Sequence, residues 1–339
     1  MNVAQAPLPL AGRRGGDWRY RLSAQRGALS AAAIFLAMFT AYGLAQPEGM
    51  SFDLVNTASN KGALLALVAM AQTLPILTGG LDLSVGMTFM LTNCIASTIV
   101  TGNPAMTGLG IIGVLLAGLA CGLVNGLIVV YGRLQPLIAT LATSAIYFGI
   151  ALAFRPQPGG DINGDFADAM TRSYFGIPAS AILLLAVVLL IWLPYRNSVV
   201  GREAYAVGSS QQAAYMSGVN IARAKVTAYT LAGLLAACGG LLLTCITYSG
   251  EARAALGNDY TLNSIAAVVI GGTSLFGGFG GAIGSIFGAF VMRTVGDLLI
   301  VFNINPVLQP LFVGVVLLFA VSLGSLRLLR VRNKLDLYR

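Results

Sequence analysis

From residue 28 almost to its end, the chain alternates long apolar stretches with short polar breaks. The stretches lie near 28–45, 59–78, 84–101, 107–131, 137–154, 179–194, 226–248, 260–278, 281–301 and 307–325. Most approach the roughly 20 helical residues that cross a hydrocarbon layer about 30 Å thick. Segments such as Ala181 to Leu193 and Val313 to Leu323 show no period-two alternation, which favours helices over barrel strands. The pattern predicts an all-α integral membrane protein of about ten transmembrane helices. Its transmembrane domain covers 28–325, between tails at 1–27 and 326–339. Glycine clusters at Gly79 and Gly80, at Gly271 and Gly272, and at Gly277, Gly278, Gly280 and Gly281 interrupt apolar runs. Glycine-broken helices are expected there, with protein or a water-lined cavity covering the unwound backbone. The likeness of TGG at 78–80 to IGG at 270–272 hints at an internal repeat.

Composition agrees, because 57% apolar and 9% charged residues leave too little polar surface to coat a water-soluble globule. The net charge of +8 raises nucleic acid as a partner, but the basic residues sit at the chain ends and in one internal loop, which membrane orientation explains more simply. With ten single crossings, fifteen Lys and Arg fall on the side of both termini and four on the other, so both termini are expected in the cytoplasm. Residues 28–45 read as a retained first helix rather than a cleaved signal. Cys94, Cys121, Cys238 and Cys245 lie in apolar stretches without a CxxC pair, so they read as packing residues, with no metal or disulfide role.

Polar residues inside the spans are the candidates for a solute path. Asp82 stands between a glycine pair and Ser84 at the start of a span. It either accepts hydrogen bonds from the free N–H groups of that helix end or gates the path. Arg293 and Asp297 are four residues apart, so they either neutralise each other or line the outward half of a cavity. Asn60, Gln72, Asn93, Asn125, Thr140, Thr143, Asn263, Ser264 and Thr273 are uncharged and suit a neutral, hydroxyl-rich solute, or else bond helix to helix. The loop 155–178, placed outside and carrying Asp161, Asp165 and Asp168, is either a partner surface or a solvated connection. No GxxxxGK[ST] string is present, so a nucleotide-powered machine would take its energy from another chain. The loop 195–225 is the extended inside loop, and a helix over 203–217 could pass on motion as a rigid body. There Gly201 and Gly208 would let the chain turn, Ala213 and Ala214 would offer a small packing face, and Arg202 and Glu203 could pair with a partner.

Four strings carry a family resemblance: TGGLDLSVG at 78–86, QPLIATLAT at 135–143, GREAYAVGSSQQAAYMSGVN at 201–220 and LNSIAAVVIGGTSLFGGFGGAIG at 262–284. In this order they resemble permease subunits of the bacterial ribose, xylose, galactose and autoinducer-type importers, over about residues 55–322. The resemblance implies a multi-pass protein of the bacterial inner membrane, paired as a homodimer or with a related permease. It also implies a cytoplasmic ATP-binding-cassette ATPase that holds ATP and magnesium, and a periplasmic solute-binding protein that delivers a sugar. No cofactor is expected on this chain, and no enzymatic activity. The 201–220 loop, with Tyr205, Tyr215 and Gly218 beside the residues named above, then becomes the ATPase-coupling element. The chain departs from the family where Ser209 and Ser210 follow the AVG string in place of an asparagine, and where Arg293 and Asp297 stand in a span more often neutral. The rival from another class, an ion-coupled carrier, needs a titratable centre for which only Asp82, Arg293 and Asp297 offer themselves.

Overall fold

The computed structural model describes residues 26–47, 49–315 and 318, and these are mostly helical. In chain order the helices begin with α1 (Arg26–Ala45), α2 (Phe52–Leu77), α3 (Val85–Ile99), α4 (Pro104–Val130) and α5 (Pro136–Phe154). A short α6 (Gly164–Thr171) and a two-stranded hairpin, β1 (Ser173–Tyr174) with β2 (Ile177–Pro178), follow. After them come α7 (Ala179–Asn197), α8 (Val199–Ser209), α9 (Gln211–Met216), α10 (Ile221–Thr247), α11 (Ala254–Ile270) and α12 (Ala282–Val301). Starts follow local chemistry. Ser51, Asn103 and Asn220 accept first-turn N–H groups at α2, α4 and α10, and prolines open α4 and α5 at positions where no helical N–H is needed.

Beyond Lys61, helix α2 is apolar on nearly every side, so that part belongs at the centre rather than on a face. Every residue from Gly62 to Leu77 is buried, and α10, α11 and α12 surround it. Close packing elsewhere comes from glycine. Gly118, Gly122 and Gly126 of α4 lie against Gly233, Tyr229 and Val226 of α10, and a Cβ on Gly122 would strike the Tyr229 carbonyl. Outward, Leu109, Leu116, Leu141 and Leu190 on α4, α5 and α7 are more than half exposed, a surface that only lipid or another apolar partner suits.

Among the described residues, seven helices are long and apolar enough to cross a membrane: α1, α2, α4, α5, α7, α10 and α12. Helices α3 and α11, with 15 and 17 residues, overlap two further expected spans but are short, because non-helical backbone at 78–84 and 248–253 precedes them. The last expected span, 307–325, lies largely outside the described residues, as do the two tails. The connections gather at two ends. At one, the Leu77 carbonyl accepts from the Gly278 N–H, Tyr205 reaches Gly280, and Gly27 abuts Gly272. At the other, Gly159 pairs with Gly250, Arg155 reaches Ser97, and Asn60 reaches Thr171. Successive helices therefore run alternately up and down.

Candidate functional site

The connection between α2 and α3 is a buried latch. Pro75 weakens the last turn of α2, and Gly79, at φ +77, turns the chain out of it. Asp82 is 2% exposed. Its Oδ1 accepts the Ser84 N–H at 2.9 Å and the Ser84 hydroxyl at 2.6 Å. The Asn125 amide of α4 reaches Ser84 Oγ at 2.7 Å and Asp82 Oδ2 at 3.5 Å, and the Tyr147 hydroxyl of α5 donates to Asn125 Oδ1 at 3.2 Å. Thr140 Oγ1 accepts the Leu83 N–H at 3.0 Å, while Thr143 donates to the Thr140 carbonyl. The carboxylate thus acts just before α3 begins, holding Ser84, while the first-turn Gly86 N–H goes to Thr261 Oγ1 of α11 at 3.1 Å. Asn93 is saturated in the same way by Thr244, Ser249 and Glu251.

The expected Arg293–Asp297 pair does not form. Asp297 pairs instead with Lys61 of α2, at 3.4 Å. Both lie toward the same end of antiparallel helices, and the long lysine stem spans the gap between them. Among the described residues, Arg293 Nε is buried without a hydrogen-bond partner. Asn263 is half-buried on α11, and Thr273 is buried where its hydroxyl accepts the Gly281 N–H at 3.1 Å. Gln72, deep in α2, has no partner among the described residues at either end of its amide.

The expected single helix over 203–217 is two helices. Ser210 adopts extended backbone and caps α9 through the Ala213 N–H, so the chain breaks between α8 and α9. Gly201 and Gly208 are not turn residues. Both lie inside α8, where a Cβ would meet the Tyr195 carbonyl and the Leu77 carbonyl respectively, so they serve close approach. Gly218, at φ +78, is the turn glycine. Glu203 is not free for a partner, because it forms a double contact with Arg223. Ala214 packs inward on Val207 and Ala224, which leaves Ala213, Tyr215 and Met216 exposed, together with Arg202 on α8. The Tyr205 hydroxyl donates to the Gly280 carbonyl at 2.8 Å, which ties α8 to the glycine loop 272–281. Among the described residues, no group of three or more His, Cys, Asp or Glu side chains could hold a metal ion.

One residue escaped the reading of the sequence. Asp259 fell in a connection when the span was drawn at 260–278, but α11 begins at Ala254, so Asp259 lies within the helix and is exposed. The signal was its place in GNDYTLNS, a polar run that continues helically into the apolar segment.

These features, spans broken by glycine around a central helix and a short helix pair on one end, define a membrane permease subunit. The profile of the family described as "Branched-chain amino acid transport system / permease component" matches residues 54–321, and the chain belongs to that family. The chain is similar to the ribose import permease protein of Bacillus subtilis, 38% identical over 77% of this chain and 81% of that protein. It is likewise similar to the ribose import permease protein of Haemophilus influenzae, at 34% over 81% and 86%, and to the autoinducer 2 import system permease protein of Salmonella paratyphi B, at 30% over 78% and 81%. No solved structure matches the chain.

Proposed function

We propose that this chain is the membrane-spanning subunit of an ATP-binding-cassette importer that carries a monosaccharide or a related polyol-like solute across the bacterial inner membrane. The observation that carries this reading is the similarity, along about four fifths of the chain, to permeases named for ribose import. The family description names branched-chain amino acids. We favour a sugar because these relatives are similar over most of their own length, and because the polar residues within the spans are chiefly uncharged amides and hydroxyls, which suit a neutral solute.

Ten spans with both termini inside fit the charge distribution. One end of the described bundle carries Arg133, Arg196, Arg202, Arg223 and Lys225 against Glu203. The other carries Arg155, Arg172 and Arg253 against Asp53, Asp161, Asp165, Asp168 and Glu251. Basic excess marks the cytoplasmic side. On that side α9 would offer Ala213, Tyr215 and Met216 to a separate ATPase holding ATP and magnesium. Motion of α8 would then reach the ends of two broken helices together, through Gly208 against Leu77 and through Tyr205 on Gly280. Outside, exposed Asp161 and Asp165 face a solute-binding protein, and a second permease, identical or related, completes the path.

The test is uptake by proteoliposomes containing the chain, the ATPase and the binding protein encoded beside it, with radiolabelled D-ribose and other monosaccharides. Uptake that requires internal ATP supports the reading. Uptake without the ATPase would instead mark an ion-coupled carrier.

A further inference from the structure

The polar face of α11 is the wrong surface for lipid. The Arg253 N–H at its entrance reaches Met90 Sδ at 3.0 Å, Gly257 abuts Gly86, and Thr261 accepts the Gly86 N–H. Gly86 lies 13 residues below Ile99, the outer end of α3, so Thr261 sits about 20 Å beneath that end at 1.5 Å per residue. Helix α11 then continues for nine residues, roughly 14 Å, to Ile270 at the inner end. Asp259 is therefore near mid-depth. It is exposed on a stripe with Ala255, Asn258 and Leu262, while Asn263 beside the stripe is half-buried.

Among the described residues Asp259 has no ion-pair or hydrogen-bond partner. The nearest helix adds a second uncompensated group. Gly271 packs on Gly284 and Ala267 on Gly288, and continuing that antiparallel register sets Arg293 level with Leu262. Its buried Nε has no partner. An exposed carboxylate, two amides and a guanidinium with an unpaired Nε within about 8 Å of depth are costly against hydrocarbon and suit a water-filled passage.

Resting on the importer reading, we infer that this face lines the solute path, with Asp259 a specificity-determining residue for neutral, hydroxyl-rich solutes. A carboxylate accepts hydrogen bonds from neighbouring hydroxyls, and Asn258, Asn263 and Arg293 add donors within about 8 Å of depth. The rest of the bundle shows the contrast: Leu116 on α4 and Leu190 on α7, near the middle of their helices, are exposed and apolar.

The experiment uses the full chain in membranes with its ATPase and binding protein. Single cysteines replace Asn258, Leu116 or Leu190, and a charged, membrane-impermeant methanethiosulfonate reagent measures aqueous access against the wild-type chain. The Asn258→Cys thiol is expected to react at least about tenfold faster than either control, because only a hydrated thiol ionises. Ala255→Cys, on the same stripe, serves if Asn258→Cys inserts poorly. Asp259→Leu is expected to lower D-ribose uptake about tenfold at unchanged membrane abundance, with Asp259→Asn intermediate. A cysteine at 258 or 255 that reacts as slowly as the controls, or wild-type uptake by Asp259→Leu, overturns the inference. Labelling needs no transport. Fast reaction in a chain without ATP-dependent uptake therefore keeps the aqueous face and removes the importer reading, and the reverse removes only the aqueous face.

Discussion

Asp82 and Asp259 stand on either side of one helix contact, where Gly86 of α3 meets Gly257 and Thr261 of α11, yet they live in opposite surroundings. Asp82 is sealed under α4 and α5 and receives hydrogen bonds from Ser84 and Asn125. Asp259 is exposed and receives none from the described residues. A polar group at membrane depth can thus hold helices together or face a passage, and exposure combined with a lack of hydrogen-bond partners marks the second case. The same test sorts the neutral residues. Ser84, Asn125, Thr140 and Thr143 belong with the latch and Asn93 with a second saturated contact, whereas half-buried Asn263 lies beside the open face.

The largest effect that would break this contrast is steric. Gly86→Val should prevent α3 from meeting α11 and cost about 3 kcal/mol or more, seen as loss of folded chain by size-exclusion chromatography in detergent. Next comes Asp82→Ala, which strands the Ser84 and Asn125 donors. A loss of about 2–3 kcal/mol is expected in thermal unfolding of the purified chain, and a loss below about 0.5 kcal/mol would place Asp82 with the passage instead. Lys61→Met should cost about 1 kcal/mol, since Asp297 loses its ion pair in a half-exposed setting, and Asp297→Asn in the same chain should restore most of it. Asp259→Asn should change stability by less than about 0.5 kcal/mol, because no internal partner is lost.

Much of this fold was readable in the residues. Apolar runs of span length and glycine pairs mark helices and breaks locally, and Gly79 and Gly272 both follow a helix end with positive φ. What was hidden depends on distant partners. Lys61 meets Asp297 across 236 positions, which no spacing rule reveals, so Arg293 became the expected mate. The break at Ser210 was hidden because the loop lacks proline; the serine side chain captures the Ala213 N–H and ends one helix to start another. The depth of Asp259 was hidden because non-helical backbone at 248–253 enters the protein beside α3 before α11 begins. The glycines of α8 misled for a related reason: sequence shows the missing side chain, and only packing shows whether a turn or a close approach requires it.

Coupling to an ATPase demands that α9 face the cytoplasm. The Ala213→Pro variant should uncouple ATP hydrolysis from uptake without loss of insertion, since the N–H it removes is the one that Ser210 caps. The more direct measurement is the sidedness of Tyr215, 72% exposed on α9. With Tyr215→Cys, an impermeant thiol reagent should label inside-out vesicles and leave right-side-out vesicles unlabelled. Labelling from the periplasmic side would contradict the assignment of α9 as the element that receives the power stroke.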